Sequence, residues 1–179
     1  MAVPVPATFY AGQRLRAADV NAQVRDNLNW AISAKTCRAI RNGSYSVPNN
    51  SWTAIPLNTE DFDLLAWHDG AGAFPNIVVP NLTGYYQVDG SLAFLNSAGG
   101  GFRRAAIRAR TFNAGPYVMA GASAPGDATY YSNLSVSTVV YMNGSTDYVE
   151  LLAWQNSGAA LSTTIAEFNT SLCVTFIGT

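Results

Sequence analysis

The chain holds one histidine, His68, inside "AWHDG", with Asp69 directly after it. Neighbours along a strand point to opposite faces, so this pair is not a proton relay by itself. A Ser-His-Asp site would need a serine from elsewhere, and no G-x-S-x-G occurs; His68 therefore reads as an ordinary residue at a strand end. "GAG" and "SAGGG" lack the Lys-Ser/Thr that follows a phosphate-cradling loop and read as turns. Glu60, Asp61 and Asp63 in "NTEDFD" offer oxygen atoms of the kind calcium takes, but at no EF-hand spacing, and are expected as solvated loop acids. Cys37 and Cys173 form no C-x-x-C pair and have no histidine cluster to complete a zinc site. They lie in the first and last strand-like segments, where they are either free apolar thiols or, if those strands are neighbours, a disulfide. No catalytic set, metal site or cofactor site emerges, and the chain reads as non-enzymatic.

Residues suited to binding are easier to find. "ASAPGDATYYSN", residues 122–133, combines flexible Gly and Pro with Asp127, Tyr130 and Tyr131. Loops on a rigid scaffold commonly carry recognition. Aromatic faces stack on sugar rings while carboxylates and amides bond the hydroxyls, so this loop is a candidate for saccharide contact; the plainer reading is subunit-rim packing. Arg104, Arg108 and Arg110 share a face of "FRRAAIRARTF". They could meet an anionic cell-wall polymer, face water, or form ion pairs between subunits, the last two being the plainer readings.

The elements that must position these groups follow from composition and period. The 179 residues fit one domain with an appendage. Hydrophobic residues make up 49% and charged ones 12%, more apolar than a monomer of this size needs, so part of the surface is expected to meet another chain. No apolar run approaches the roughly 20 residues that span a bilayer, and the N-terminus lacks a secretory layout, so neither membrane insertion nor export by that route is expected. Net charge is −1, which gives no reason to expect nucleic acid. All ten basic residues lie at or before Arg110. Residues 1–41 carry six of them against Asp19 and Asp26, a local excess suited to an acidic partner surface or simply to a solvated helix.

The period changes near residue 36. Before it, Val20, Val24, Leu28 and Ala31, with Ile32 adjoining, form one stripe of a helix over residues 17–32, too short to be stable unless the stripe packs on something. Beyond it, alternation broken by turn residues predicts about ten strands in two sheets. These are "TCRAIR", "SWTAI", "FDLLAWH", "NIVV", "GYYQVDGSLAFLN", "FRRAAIRARTF", "PYVMAGASA", "NLSVSTVVYM", "DYVELLAWQ" and "AEFNTSLCVTFI". "MNGSTDY" predicts an Asn-Gly hairpin with Gly144 at positive φ.

The sequence from Ser44 onward resembles the jelly roll shared by the complement globular head and tumour necrosis factor. The likeness rests on "WTAIPLNTEDFD", "IVVPNLTGYYQVDGSLAF", with Thr83 where that family's core strand has proline, "YVELLAWQNSGAAL" and "FNTSLCVTFI". Separately, "AGQRLRAADVNAQVRDNLNWA" is similar to the N-terminal segment of tailed-phage minor tail proteins, with Arg16 where that lead usually has a capping threonine. The resemblance implies an all-β antiparallel jelly-roll head over residues 36–179, preceded by an anchoring segment, residues 1–35. It also implies a homotrimer that buries aromatic and aliphatic side chains between protomers, and a place on a virion, made in the host cytoplasm. Partners would be copies of the chain, tail or capsid proteins bound through residues 1–35, and a host cell-surface polysaccharide. Two functional readings stay open: a host-recognition tip or fibre head, and a purely structural tail or capsid decoration.

Overall fold

In a computed structural model the chain divides into two compact units, residues 1–35 and 36–179. The structure describes residues 7–14, 16–111, 114–165 and 169–179, with the side chains of 111–117 outside the description. In the first unit a helical segment runs through α1 (Ala17–Val20), a π segment (Asn21–Arg25) and α2 (Asp26–Ile32). Residues four apart overshoot a full α-turn by about 40°, and the wider π turn brings such residues closer to one line. Arg16 holds the N-cap position without a side-chain acceptor. The Asp19 carboxylate instead accepts the Arg16 backbone N–H at 3.4 Å, which is half of a capping box.

The second unit contains β1 (Thr36–Ile40), β2 (Ser46–Val47), β3 (Thr53–Ala54), β4 (Thr59–Asp63), β5 (Thr83–Phe94), β6 (Phe102–Thr111), β7 (Ala114–Pro125), β8 (Ser132–Asn143), β9 (Tyr148–Gln155), β10 (Leu161–Ser162) and β11 (Ser171–Gly178). They form a five-stranded sheet, β4-β1-β11-β5-β8, a four-stranded sheet, β3-β9-β6-β7, and the short pair β10-β2. Every ladder is antiparallel.

Alternation sets the inner faces. Tyr86, Val88, Leu92 and Phe94 of β5 and Leu134, Val136, Val140 and Met142 of β8 all turn inward and are buried. They meet Ala105, Ile107 and Ala109 of β6 and Val149, Leu151 and Ala153 of β9, all buried. Each large aliphatic side chain so enclosed contributes roughly 1.5–3 kcal/mol. Trp67 and Phe176 both meet the Tyr86 ring edge-on, at 5.5 and 5.4 Å.

Several expected elements take another form. "FDLLAWH" is not a strand: β4 ends at Asp63, a turn follows at Leu64 and Leu65, and Ala66 has a φ of 52° that breaks extension. "NIVV" contributes only Val78, bridged to His68 and Val149. Gly144 has the expected positive φ, 72°, but joins no hairpin, because β8 and β9 belong to different sheets. The Asn143 side-chain oxygen caps this crossing by accepting the N–H groups of Ser145, Thr146 and Asp147 at 2.9–3.2 Å. The final strand begins at Ser171, later than "AEFNTSLCVTFI" predicts, and residues 166–168 lie outside the described residues. The disulfide left open in the sequence does not form: both thiols are free although β1 and β11 pair, for a reason of register taken up below.

Candidate functional site

The loop between β7 and β8 is built around one carboxylate. Asp127 Oδ1 accepts the backbone N–H groups of Thr129 at 2.6 Å and Tyr130 at 2.8 Å, which folds the chain back on itself. These two bonds hold the Asp127 carboxyl below its ordinary pKa range. Neighbouring backbone clamps the loop in place: Ser97 N–H donates to Asp127 O (2.8 Å), Gly126 N–H to Gly101 O (2.7 Å), and the Asn96 amide to Ala128 O (2.8 Å). Under Gly126 lies Arg103, fully buried and donating from Nη1 to Gly100 O at 2.8 Å. A Cβ on Gly126 would stand 2.7 Å from the other terminal nitrogen of Arg103, so the glycine lets the loop rest directly on the guanidinium.

The turn opens a depression of about 510 Å³ lined by Asn96, Thr129, Tyr130, Tyr131 and Asn133. Tyr130 is 72% exposed and Tyr131 is half-buried at the edge. Phenol rings beside two carboxamides supply flat faces together with donors and acceptors, the set that a sugar ring and its hydroxyls require. Tyr130 and Tyr131 are thus brought together, and Asp127 engages the turn through Oδ1. Asn96, on the facing loop, and Thr129 and Asn133 were not singled out in the sequence; the only signal was their amide and hydroxyl chemistry near the tyrosine pair.

The arginine stripe is not one charged surface. Arg108 Nε lies 2.6 Å from Glu150 Oε1, and Glu150, 1% exposed, also accepts from the Asn76 amide at 3.0 Å. That hydrogen bond and the carboxylate charge raise the Arg108 pKa. Arg104 is exposed, its guanidinium 4.5 Å above the Trp154 ring. Arg110 is exposed at the far end of the same strand.

His68 is more than a strand-end residue. Its ring is enclosed, with Nδ1 2.6 Å from Glu60 Oε1 and Nε2 3.0 Å from Pro75 O. Glu60 Oε1 also takes the Gly70 N–H, and the His68 contact and that bond hold the Glu60 carboxyl below its ordinary range despite the opposing effect of burial. Asp63 accepts the His68 N–H at 2.8 Å, and Asp61 pairs with Arg38 at 3.0 Å. The acids of "NTEDFD" therefore belong to β4: Glu60 and Asp63 tie down the following loop, while Asp61, exposed, pairs across to β1. Among the described residues no group of three His, Cys, Asp or Glu side chains could hold a metal, and no helix is long and apolar enough to cross a membrane.

In the first unit the stripe lies open among the described residues. Val20, Val24, Leu28 and Ile32 are all exposed, Ile32 by 75%, and Ala31 is exposed beside them.

Two antiparallel sheets in the orders found here, with a core between them and loops gathered at the ends, define a TNF-like jelly roll. Murine APRIL at pH 5.0 matches 81% of this chain over 100% of its own length, with a TM-score of 0.62 and 10% identity. Eiger TNF from S. frugiperda covers the same 81% over 93% of its length, with a TM-score of 0.55 and 10% identity. At such identities the likeness is one of fold. No protein-family model matches the sequence, and no curated protein matches it.

Proposed function

We propose that this chain is a non-enzymatic adhesion protein of a bacteriophage particle, a trimeric minor tail or receptor-binding component held by residues 1–35. In this reading its head offers the Tyr130–Tyr131 depression to a cell-surface glycan. The observation that carries the reading is the uncovered stripe Val20, Val24, Leu28 and Ile32 beside a head that closes its own core. A helix of that length needs an apolar partner, and among the described residues of its own unit none covers the stripe. The similarity of "AGQRLRAADVNAQVRDNLNWA" to phage minor tail proteins supplies the particle as that partner.

Trimer formation is supported by the outer face of the five-stranded sheet. Tyr85, Val139, Tyr141 and Ile177 are exposed there, and Tyr85 and Tyr141 pack edge-to-face at 5.2 Å. Large apolar groups left together on one sheet face favour burial against another copy. The test uses the purified full-length chain. It is expected to sediment as a trimer, adsorb to host cells and block adsorption of the particles that carry it. A chain that incorporates into particles but binds no cells overturns the adhesion reading in favour of a structural decoration.

A further inference from the structure

The outer face of the four-stranded sheet carries a row of side chains unlike anything else on the head. Strand register places Trp154 of β9 opposite Arg104 of β6, and Arg104 opposite Ser123 of β7. Thr53 pairs with Ala153, which sets Trp52 beside Trp154, and their ring centroids lie 6.4 Å apart at 40°. The row thus reads Trp52, Trp154, Arg104, Ser123 across all four strands, about 14 Å at ordinary strand spacing. Trp52 is 44% exposed. Phe102, also exposed, stands two residues before Arg104 on the same face, with Asn156 accepting its N–H at 2.6 Å.

The charge at the centre of the row is uncompensated. Arg108, on the same strand face, is neutralised by Glu150. Arg104 has no carboxylate within salt-bridge distance among the described residues, and is held instead over the Trp154 ring. A guanidinium held over an aromatic ring keeps N–H donors for a bidentate contact with a carboxylate or phosphate. The exposed Trp52 indole and Phe102 phenyl ring, on either side of the half-buried Trp154 and flanked by Ser123 and Asn156, give stacking surfaces with a polar rim. The next row, Ala54, Leu152, Ala106 and Gly121, is small or buried, so the large apolar surface stops there. The broader apolar face lies on the other sheet.

We infer that Trp52, Trp154 and Arg104 form a second binding site, for an anionic saccharide: a pyranose ring on the exposed Trp52 indole, an acidic substituent on Arg104, and the half-buried Trp154 between them holding both in place. This rests on the adhesion reading and names a substrate class and a site which that reading does not contain. The test titrates the full-length chain with trigalacturonate, its neutral trimethyl ester and glucose 6-phosphate, following the indole N–H signals of its four tryptophans. Trigalacturonate is expected to shift the Trp52 and Trp154 signals and leave those of Trp30 and Trp67 in place. Arg104→Gln is expected to weaken trigalacturonate about tenfold while moving the ester by less than about threefold, since a charge-assisted contact is lost only for the acid. Trp52→Ala, at an exposed position, weakens both. Binding of glucose 6-phosphate with the same Arg104 dependence identifies phosphate-bearing sugars as an equivalent source of the anion. The inference is overturned if no probe shifts Trp52 or Trp154, or if Arg104→Gln leaves trigalacturonate affinity unchanged. Cells separate this failure from that of the adhesion reading. A chain that adsorbs through Tyr130 and Tyr131 and is indifferent to Trp52→Ala and Arg104→Gln sinks only the second site, whereas one that adsorbs to no cells sinks the adhesion reading and leaves the titration to be judged alone.

Discussion

Cys37 and Cys173 occupy adjoining strands one register step apart: Cys37 stands opposite Val174 and Cys173 opposite Arg38, so the two thiols leave the sheet on opposite faces. A disulfide needs its Cβ vectors to converge, and here the sheet lies between them. Cys37 is sealed in the core, where burial, with Asp63 and Glu60 nearby, pushes its thiol well above the ordinary range. Both cysteines should therefore titrate with a thiol reagent in denaturant without reductant, and in the native protein Cys37 should stay unreactive. A count of zero thiols in denaturant would contradict the register.

Arg108 and Glu150 make a lopsided ion pair, the arginine partly in solvent and the carboxylate enclosed. Removing the cation leaves a buried charge, which typically costs about 3–5 kcal/mol. Arg108→Ala should lower urea stability by an amount near the bottom of that range, because Asn76 still donates to Glu150. Replacing both partners, Arg108→Met with Glu150→Leu, should recover most of the loss, and failure to recover would show that the site depends on the charges themselves.

Asp127 predicts an acid-sensitive loop. Its folded pKa is depressed by the Thr129 and Tyr130 N–H groups, so what it contributes is fully present above the unfolded carboxylate value, about 3.9, and is lost as pH falls through the lower folded value. Amide exchange at Thr129 and Tyr130 should accelerate only below about pH 4 and stay even from pH 5 to 8 when corrected for intrinsic rates. Asp127→Asn keeps an acceptor and should remove this pH dependence while preserving the turn, whereas Asp127→Ala should open it at every pH.

The crossing from β8 to β9 turns on Gly144. Its φ of 72° costs a side-chain-bearing residue roughly 1–2 kcal/mol, and an added Cβ would lie 2.5 Å from the Leu82 carbonyl carbon and 2.6 Å from the Thr83 nitrogen. Backbone atoms cannot swing aside as a side-chain tip can. Gly144→Ala should therefore lower the melting temperature by several degrees, more than an ordinary surface substitution, and an unchanged melting temperature would refute the close approach.

What the residues declared, and what they withheld, follows from how far each signal reaches. β5 and β8 alternate cleanly because one face of each is core and the other is not, so Tyr86, Val88, Leu134 and Val136 could be placed by period alone. β9 is buried on both faces, and nothing in "YVELLAWQ" tells that Glu150 would be covered by Asn76 from a distant loop. "FDLLAWH" looked extended because its leucines and Trp67 are apolar, yet Trp67 caps the core from a loop and positive φ at Ala66 is not written in the residue type. Tyr130 and Tyr131 were legible as a pair, whereas Asn96 joins them only through folding. The row from Trp52 to Ser123 depends on the registers of three ladders, and no local pattern carries that.

On the proposed reading, Leu28 allows the attachment segment to be tested apart from the head. It is 58% exposed and belongs to residues 1–35, a compact unit by itself, so Leu28→Asp is expected to leave the core of the head untouched. Head stability, measured by urea denaturation followed at the Trp67 signal, should match the parent chain. Assembly should not. A charge in the centre of Val20, Val24, Leu28 and Ile32 must be desolvated wherever the stripe is buried, and an unpaired carboxylate in an apolar seam is strongly unfavourable. Incorporation into particles should fall sharply. If the stripe is covered by copies of itself, the sedimenting mass will fall too, whereas a stripe covered by a particle protein will leave intact the trimer proposed to form through Tyr85, Val139 and Tyr141. Incorporation at the parent level would mean that the stripe is not where the protein is held.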